Sequence, residues 1–263
     1  MKRRIEKIQL LSWKELLITT RTRKGILIFV IIAGLGAISQ LLNRLGTTTP
    51  ATCSDVLFSG YLNFIQLLPF VLAIVLADVV SGEKERKTWN FYFTKPFSSG
   101  EILLSKLLVN YILIGTAIII MWIGLYLFAS TATSGCHISQ AMYPLLVILA
   151  ITFAIVSLEI TISVFSKRIA VAVLLIIAGW IGLIILNLVV PIGRGFIAPW
   201  AANSYQTSVV NRFLGLQLYL TPFENLTAPP SSTERSLAVL LPLIQGMLLY
   251  IIAWITVRRS TGV

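Results

Sequence analysis

Apolar runs of membrane-crossing length recur along this chain, separated by short charged or polar stretches. About 20 apolar residues carry a helix across the hydrocarbon core. No water is available there, so every backbone N–H and C=O must be satisfied internally, which leaves helices or a closed barrel. The runs here are continuous rather than alternating, so they predict helices. Six spans follow, over residues 25–42, 56–80, 107–130, 143–166, 169–190 and 238–257. The first is the shortest and fits by tilting or by drawing in its flanks. Only 12% of the residues are charged, against about 25% in soluble domains. The expectation is an all-α polytopic membrane protein, with residues 1–263 forming one transmembrane domain. No cleavable signal peptide is expected, because the first apolar run follows a long basic stretch and no small-residue cleavage site comes after it.

The positions of Lys and Arg set the expected orientation. Seventeen of the 21 lie in residues 1–24, 81–106, 167–168 and 258–259, and the other four are Arg44, Arg194, Arg212 and Arg235. By the positive-inside rule, both termini and the 81–106 loop are cytoplasmic. The net charge of +11 then reflects basic residues bordering spans and facing anionic headgroups, with no need for nucleic acid. Residues 1–24 read as an interfacial helix, with a stripe of Leu10, Trp13, Leu16 and Leu17, near i, i+3, i+7 spacing, among Lys and Arg. Ile5, Ile8 and Leu11 fall on other faces, so a basic tail that only orients the chain is the plainer alternative.

The loop from Ser81 to Lys106 combines mixed charge with Trp89, Phe91, Tyr92, Phe93 and Phe97. Such aromatics among charges suit a docking surface for a cytoplasmic partner. On the opposite side, the polar loops 43–55 and 131–142 hold Cys53 and Cys136. A disulfide between them is one reading and two separate thiols the other. A metal site of Cys53, Cys136 and His137 has no recognised ligand spacing and is not favoured. The outer segment 191–237 is long for a structureless loop, so helices on or in the outer leaflet are expected there. Asn225-Leu226-Thr227 forms a glycosylation sequon, which matters only in an organism that glycosylates.

Two carboxylates lie in or near spans. Glu159 is in the middle of span four, where an ionisable group defaults to a functional hypothesis: a polar pathway or subunit contact. The alternative is a hydrogen bond to a Ser or Thr of a neighbouring span. Asp78 reads as a helix-end group at the cytoplasmic interface, with a place in the pathway as the other option. No catalytic constellation is legible: there is one His, and the two carboxylates sit on different spans. The stretch Gly82–Thr88 is one residue short of a phosphate-binding loop, has Arg86 where its second glycine belongs, and follows no strand. The chain is therefore not expected to be an enzyme or to bind a metal or other cofactor itself.

Ser81-Gly82-Glu83, followed by Thr88, Pro96 and then Lys106 leading into a span, resembles the membrane subunits of ABC transporters of the second, exporter-like type. Leu218-Tyr219-Leu220-Thr221-Pro222-Phe223 resembles that family's YLSPF segment before the last span. Six spans, a basic N-terminal helix and a large fifth-to-sixth outer loop extend the resemblance over essentially the whole chain. Two departures stand out: Lys87 occupies the place where a Gly usually precedes the Thr, and Ser99 the place where an Arg often follows Pro-x-Ser.

The resemblance implies a permease without its own ATPase. Such permeases work in homo- or heterodimeric pairs with ATP-binding subunits, which hold the ATP and Mg. The implied setting is the cytoplasmic membrane of a bacterium or archaeon, with outward transport of an unidentified substrate. It also implies a coupling helix between spans two and three. Glu83, Glu85, Arg86, Lys87 and Thr88 would begin that element, Trp89 and Pro96 lie within it, and Glu101 and Lys106 would close it. Gly34, Gly36, Ser157, Thr161, Gly179 and Gly182 would allow close helix packing at the dimer interface. Two rivals are a gradient-driven carrier with Glu159 as its proton site, and a non-transporting scaffold that anchors an ATPase.

Overall fold

Capping signals and serine hydroxyls decide where the helices of this chain stop and start. The computed structural model describes residues 2–21, 24–46, 68–89, 97–132, 138–182 and 232–261, and among them there is no strand. In chain order the helices are α1 (Lys2–Arg21), α2 (Lys24–Gly46), α3 (68–76), α4 (Ser81–Glu85), α5 (Ser99–Ala132), α6 (Ile138–Phe165), α7 (Ile169–Gly182) and α8 (Ser232–Thr261).

Three segments among the described residues are long and apolar enough to cross a membrane: Ser99–Thr131, Leu145–Phe165 and Val239–Arg259. These correspond to the third, fourth and sixth expected spans. The first and fifth are represented by shorter apolar stretches, Gly25–Ile38 and Ile169–Gly182. The second is described only from residue 68 onward.

Several boundaries differ from the sequence expectation for identifiable reasons. The third span begins at Ser99 rather than 107, inside the expected cytoplasmic loop. A reciprocal capping box starts it: the Glu101 N–H donates to Ser98 Oγ at 3.3 Å, and the Ser98 N–H donates to Glu101 Oε2 at 3.0 Å. The helix in the second expected span stops at 76 and gives way to a turn over 77–80, four residues before the expected boundary. The last helix starts at Ser232, within the expected outer segment.

The core lies around α6. Apolar side chains occur on every side of it, and Ile148, Ile151, Ile155, Val156 and Ile160 are buried, as a helix surrounded by other helices requires. Its most extensive packing is against α8, and it also packs on α5. Tyr111 of α5 meets Phe153 of α6 edge-on, with ring centroids 5.3 Å apart, and its hydroxyl donates to the Leu149 carbonyl at 3.3 Å. Helix α8 turns Ile244, Met247, Leu248, Ile251 and Ile255 outward, a face suited to lipid. Helix α1 packs on α5 and α2 and buries Leu11, while Leu10 (68% exposed) and Trp13 (63%) point away.

Candidate coupling site

The break between α3 and α4 is built by one serine of another helix. Ser163 of α6 is fully buried. Its hydroxyl accepts from the N–H groups of Val80 (3.1 Å) and Ser81 (3.0 Å) and donates to the Ala77 carbonyl at 2.7 Å. These are backbone groups that a helix end would otherwise leave without partners. Ser81 Oγ also donates to the Ala77 carbonyl. The chain can therefore leave α3, turn through 77–80 and enter α4 while keeping its buried polar groups satisfied.

Helix α4 is then tied to both ends of the α6–α7 junction. The Lys84 ammonium donates to the Val164 carbonyl in the last turn of α6, where helix carbonyls lack intrahelical partners and a cation is favoured. Glu85 Oε2 accepts from the Ile169 N–H at the first residue of α7, at 3.0 Å, where a carboxylate is favoured for the converse reason. Burial, and then the nearby Lys167 ammonium, hold Lys84 below its ordinary 10.5.

On its other side α4 meets a buried ion cluster. Lys106 of α5 is 1% exposed and donates to Glu83 Oε1 at 2.7 Å and to Glu15 Oε1 of α1 at 3.1 Å. A buried ammonium without such partners would be strongly destabilising. The two carboxylates come from elements 91 and 23 residues away in the chain, so one cation joins α1, α4 and α5.

The Ser-Gly-Glu motif is thereby explained residue by residue. Ser81 closes the turn, and Glu83 holds Lys106. Gly82 leaves room for Asp78: a Cβ built on Gly82 would lie 1.7 Å from Asp78 Oδ1. That oxygen accepts from Arg86 at 3.2 Å. Thr88 ends the element, its N–H donating to the Glu83 carbonyl at 2.9 Å and its hydroxyl to the same oxygen at 3.2 Å. Lys87, just before it, has φ 60°. Glycine enters this left-handed region without steric cost and lysine does not. This is a physical reason for the glycine usual at this place.

The expected contact residues therefore divide. Glu85, Arg86, Lys87 and Thr88 are exposed, whereas Trp89 is buried in the core and Lys106 is enclosed with Glu83. Glu101 serves the start of α5. Pro96 lies outside the described residues, as do Cys53, Cys136 and His137. Among the described residues, no cluster of His, Cys, Asp or Glu is arranged to hold a metal.

Glu159 is fully buried inside the chain rather than on an outward face of α6. Of the small residues expected at a dimer interface, Gly36 abuts Met121 and Ser157 abuts Gly246 within the chain, while Gly34, Gly179 and Gly182 have open space around them. Thr161 donates across to the Leu249 carbonyl of α8 at 3.1 Å.

Ser163, Glu15, Lys84 and the α7 N-terminus escaped the sequence reading. Signals for the buried cluster were nonetheless present. Lys106 interrupts the apolar run Ile102-Leu103-Leu104-Ser105-Lys106-Leu107-Leu108, and Glu15 shares a helix face with Ile8 and Leu11. Ser98-Ser99-Gly100-Glu101 is likewise a capping-box pattern legible in the letters alone.

The arrangement links helix ends mechanically. With its membrane-length apolar helices, it defines a helical membrane protein whose polar residues concentrate at a joint. A family model described as ABC-2 family transporter protein matches residues 9–259, and the chain belongs to that family. It is a membrane component of a transporter, a permease. A comparison with curated proteins found no match.

Proposed function

We propose that the chain is the permease subunit of an ABC exporter, powered by ATP hydrolysed on a separate ATP-binding subunit that docks on the exposed face of α4. The observation that carries this reading is the α4 joint. A five-residue helix is bonded to α6 and α7 through Ser163, Lys84 and Glu85, and to α5 and α1 through Glu83, Lys106 and Glu15. A displacement imposed on α4 is thereby passed to four other helices at once, which is what a nucleotide-driven permease needs.

In this reading Glu85, Arg86, Lys87 and Thr88 face the partner, while Glu83 and Lys106 brace the docking element from behind. ATP and Mg belong to the partner. The permease works as a homo- or heterodimeric pair in the cytoplasmic membrane of a bacterium or archaeon, with both termini and the α4 loop inside. Helix α1 lies along the inner leaflet, its outward Leu10, Trp13 and Leu17 in the headgroup region.

Affinity purification from native membranes in mild detergent, followed by mass spectrometry, tests the proposal. The expected result is a stoichiometric ATP-binding subunit that is lost with the charge reversals Arg86→Glu and Lys87→Glu while the permease stays monodisperse. Retention of the subunit by both variants, or its absence under conditions that preserve other membrane complexes, would overturn it.

A further inference from the structure

Glu159 sits in the membrane-length part of α6 with its side chain 0% exposed, and neither carboxyl oxygen makes a hydrogen bond of ordinary geometry. The Trp180 indole of α7 is its hydrogen-bonding neighbour, and among the described residues no charged group acts on it. Several titratable groups of the elements packed around α6 are engaged elsewhere. Tyr111 of α5 donates to the Leu149 carbonyl, and Tyr250 of α8 to the Gly100 carbonyl. At the α3–α4 turn, Asp78 pairs with Arg86, Glu83 with Lys106, Lys84 with the Val164 carbonyl and Glu85 with the Ile169 N–H.

An ionised carboxylate so enclosed, with no countercharge among the described residues, is very costly, and such a group favours its neutral, proton-bound form. Its position on α6 gives the proton a consequence. Thr152, Glu159 and Ser163 share one face of the helix by their spacing. Thr152 Oγ1 is likewise buried without a hydrogen bond. Ser163, one turn beyond Glu159, is the residue that holds the α3–α4 break.

We propose that Glu159 is a proton-binding site in the membrane core, and that its occupancy is read at the α3–α4 turn through Ser163. The link to the turn rests on the coupling role proposed above; the proton site does not. On release, the carboxyl O–H bond breaks and the proton passes to a water admitted between α6 and α7. The carboxylate left behind disfavours closure of that contact until a proton returns.

Infrared spectroscopy of the permease alone in lipid nanodiscs tests the site without any ATPase. At neutral pH the wild-type minus Glu159→Gln difference spectrum should show the carbonyl band of a protonated carboxylic acid. If Glu159→Gln does not fold, wild-type spectra from protein carrying carbon-13 glutamate, recorded from acid to alkaline pH, answer the same question. A carboxylate signature at neutral pH, with no acid band, would overturn the proposal.

The link to the turn is read in the reconstituted complex. Glu159→Gln, a neutral isostere locked in the occupied form, should flatten the pH profile of ATP hydrolysis. An acid band together with an unchanged profile would overturn the reading at the turn. Absence of any ATPase partner would remove the coupling role yet leave the infrared result to decide the site.

Discussion

Replacing Lys106 with Met isolates the energetics of the joint. Lys106 lies 2.7 Å from Glu83 and 3.1 Å from Glu15. At an effective dielectric constant of about 20, these distances correspond to roughly 6 and 5 kcal/mol of gross attraction. Desolvation of an ammonium that is 1% exposed offsets much of that. Lys106→Met removes the attraction and leaves two carboxylates facing each other without their cation, so the expected loss is about 3–5 kcal/mol.

For a chain of this size, that corresponds to a fall of roughly 10 °C in apparent Tm. The assay is the thermal loss of the monodisperse peak in detergent, compared at one heating rate because such unfolding is irreversible. The triple variant Lys106→Met/Glu15→Gln/Glu83→Gln removes all three charges and should recover most of the loss, because an uncharged replacement of a buried ion cluster is often neutral. A single variant that melts with the wild type, or a triple variant no better than the single, would refute the argument that the carboxylates hold this lysine.

Further outcomes are expected at the same joint. Ser163→Ala strands the Val80 and Ser81 N–H groups and should cost about 2–3 kcal/mol, with faster proteolysis at the 77–80 turn as the measurement. Lys87→Gly should relieve the left-handed backbone and leave stability unchanged or raised by up to about 1 kcal/mol, whereas Lys87→Val should lower it; paired melting curves decide. Lys84 releases its proton in the folded chain below the 10.5 of the unfolded one. Between the two values the unfolded chain binds more protons, so stability should rise with pH there. Lys84→Met should abolish that rise in apparent Tm. Gly82→Ala should force Asp78 aside and loosen the turn, seen as loss of hydrogen-exchange protection at Lys84 and Arg86.

The membrane-crossing helices α5, α6 and α8 were legible because apolar runs of such length have few other fates. The Ser81-Gly82-Glu83 motif was legible too, but its roles were not. Two depend on residues far along the chain, Glu83 on Lys106 and Ser81 on Ser163, and Gly82 depends on how Asp78, four residues before it, turns back. Lys106 was expected only to close the coupling element, and a lysine at a span boundary normally snorkels toward headgroups. Its burial requires two carboxylates that only tertiary packing brings together. Ser163 gave no signal, since serines are unremarkable in membrane helices; here it has a specific task because α3 stops at 76. The Lys87 departure was visible in the letters, and its positive φ supplies the physical reason.

The bonds of α4 also impose an order on biogenesis. Lys84 waits for a carbonyl 80 residues downstream and Glu85 for an N–H 84 residues downstream. A nascent chain emerging from N- to C-terminus cannot finish this short helix until α6 and the start of α7 have been made and inserted. If the ATP-binding subunit docks on α4, it meets a finished surface only on chains that have come that far. Arrested or truncated chains would present an unfinished one, so under the proposed docking the same bonds would tie partner binding to completion of the chain through α7.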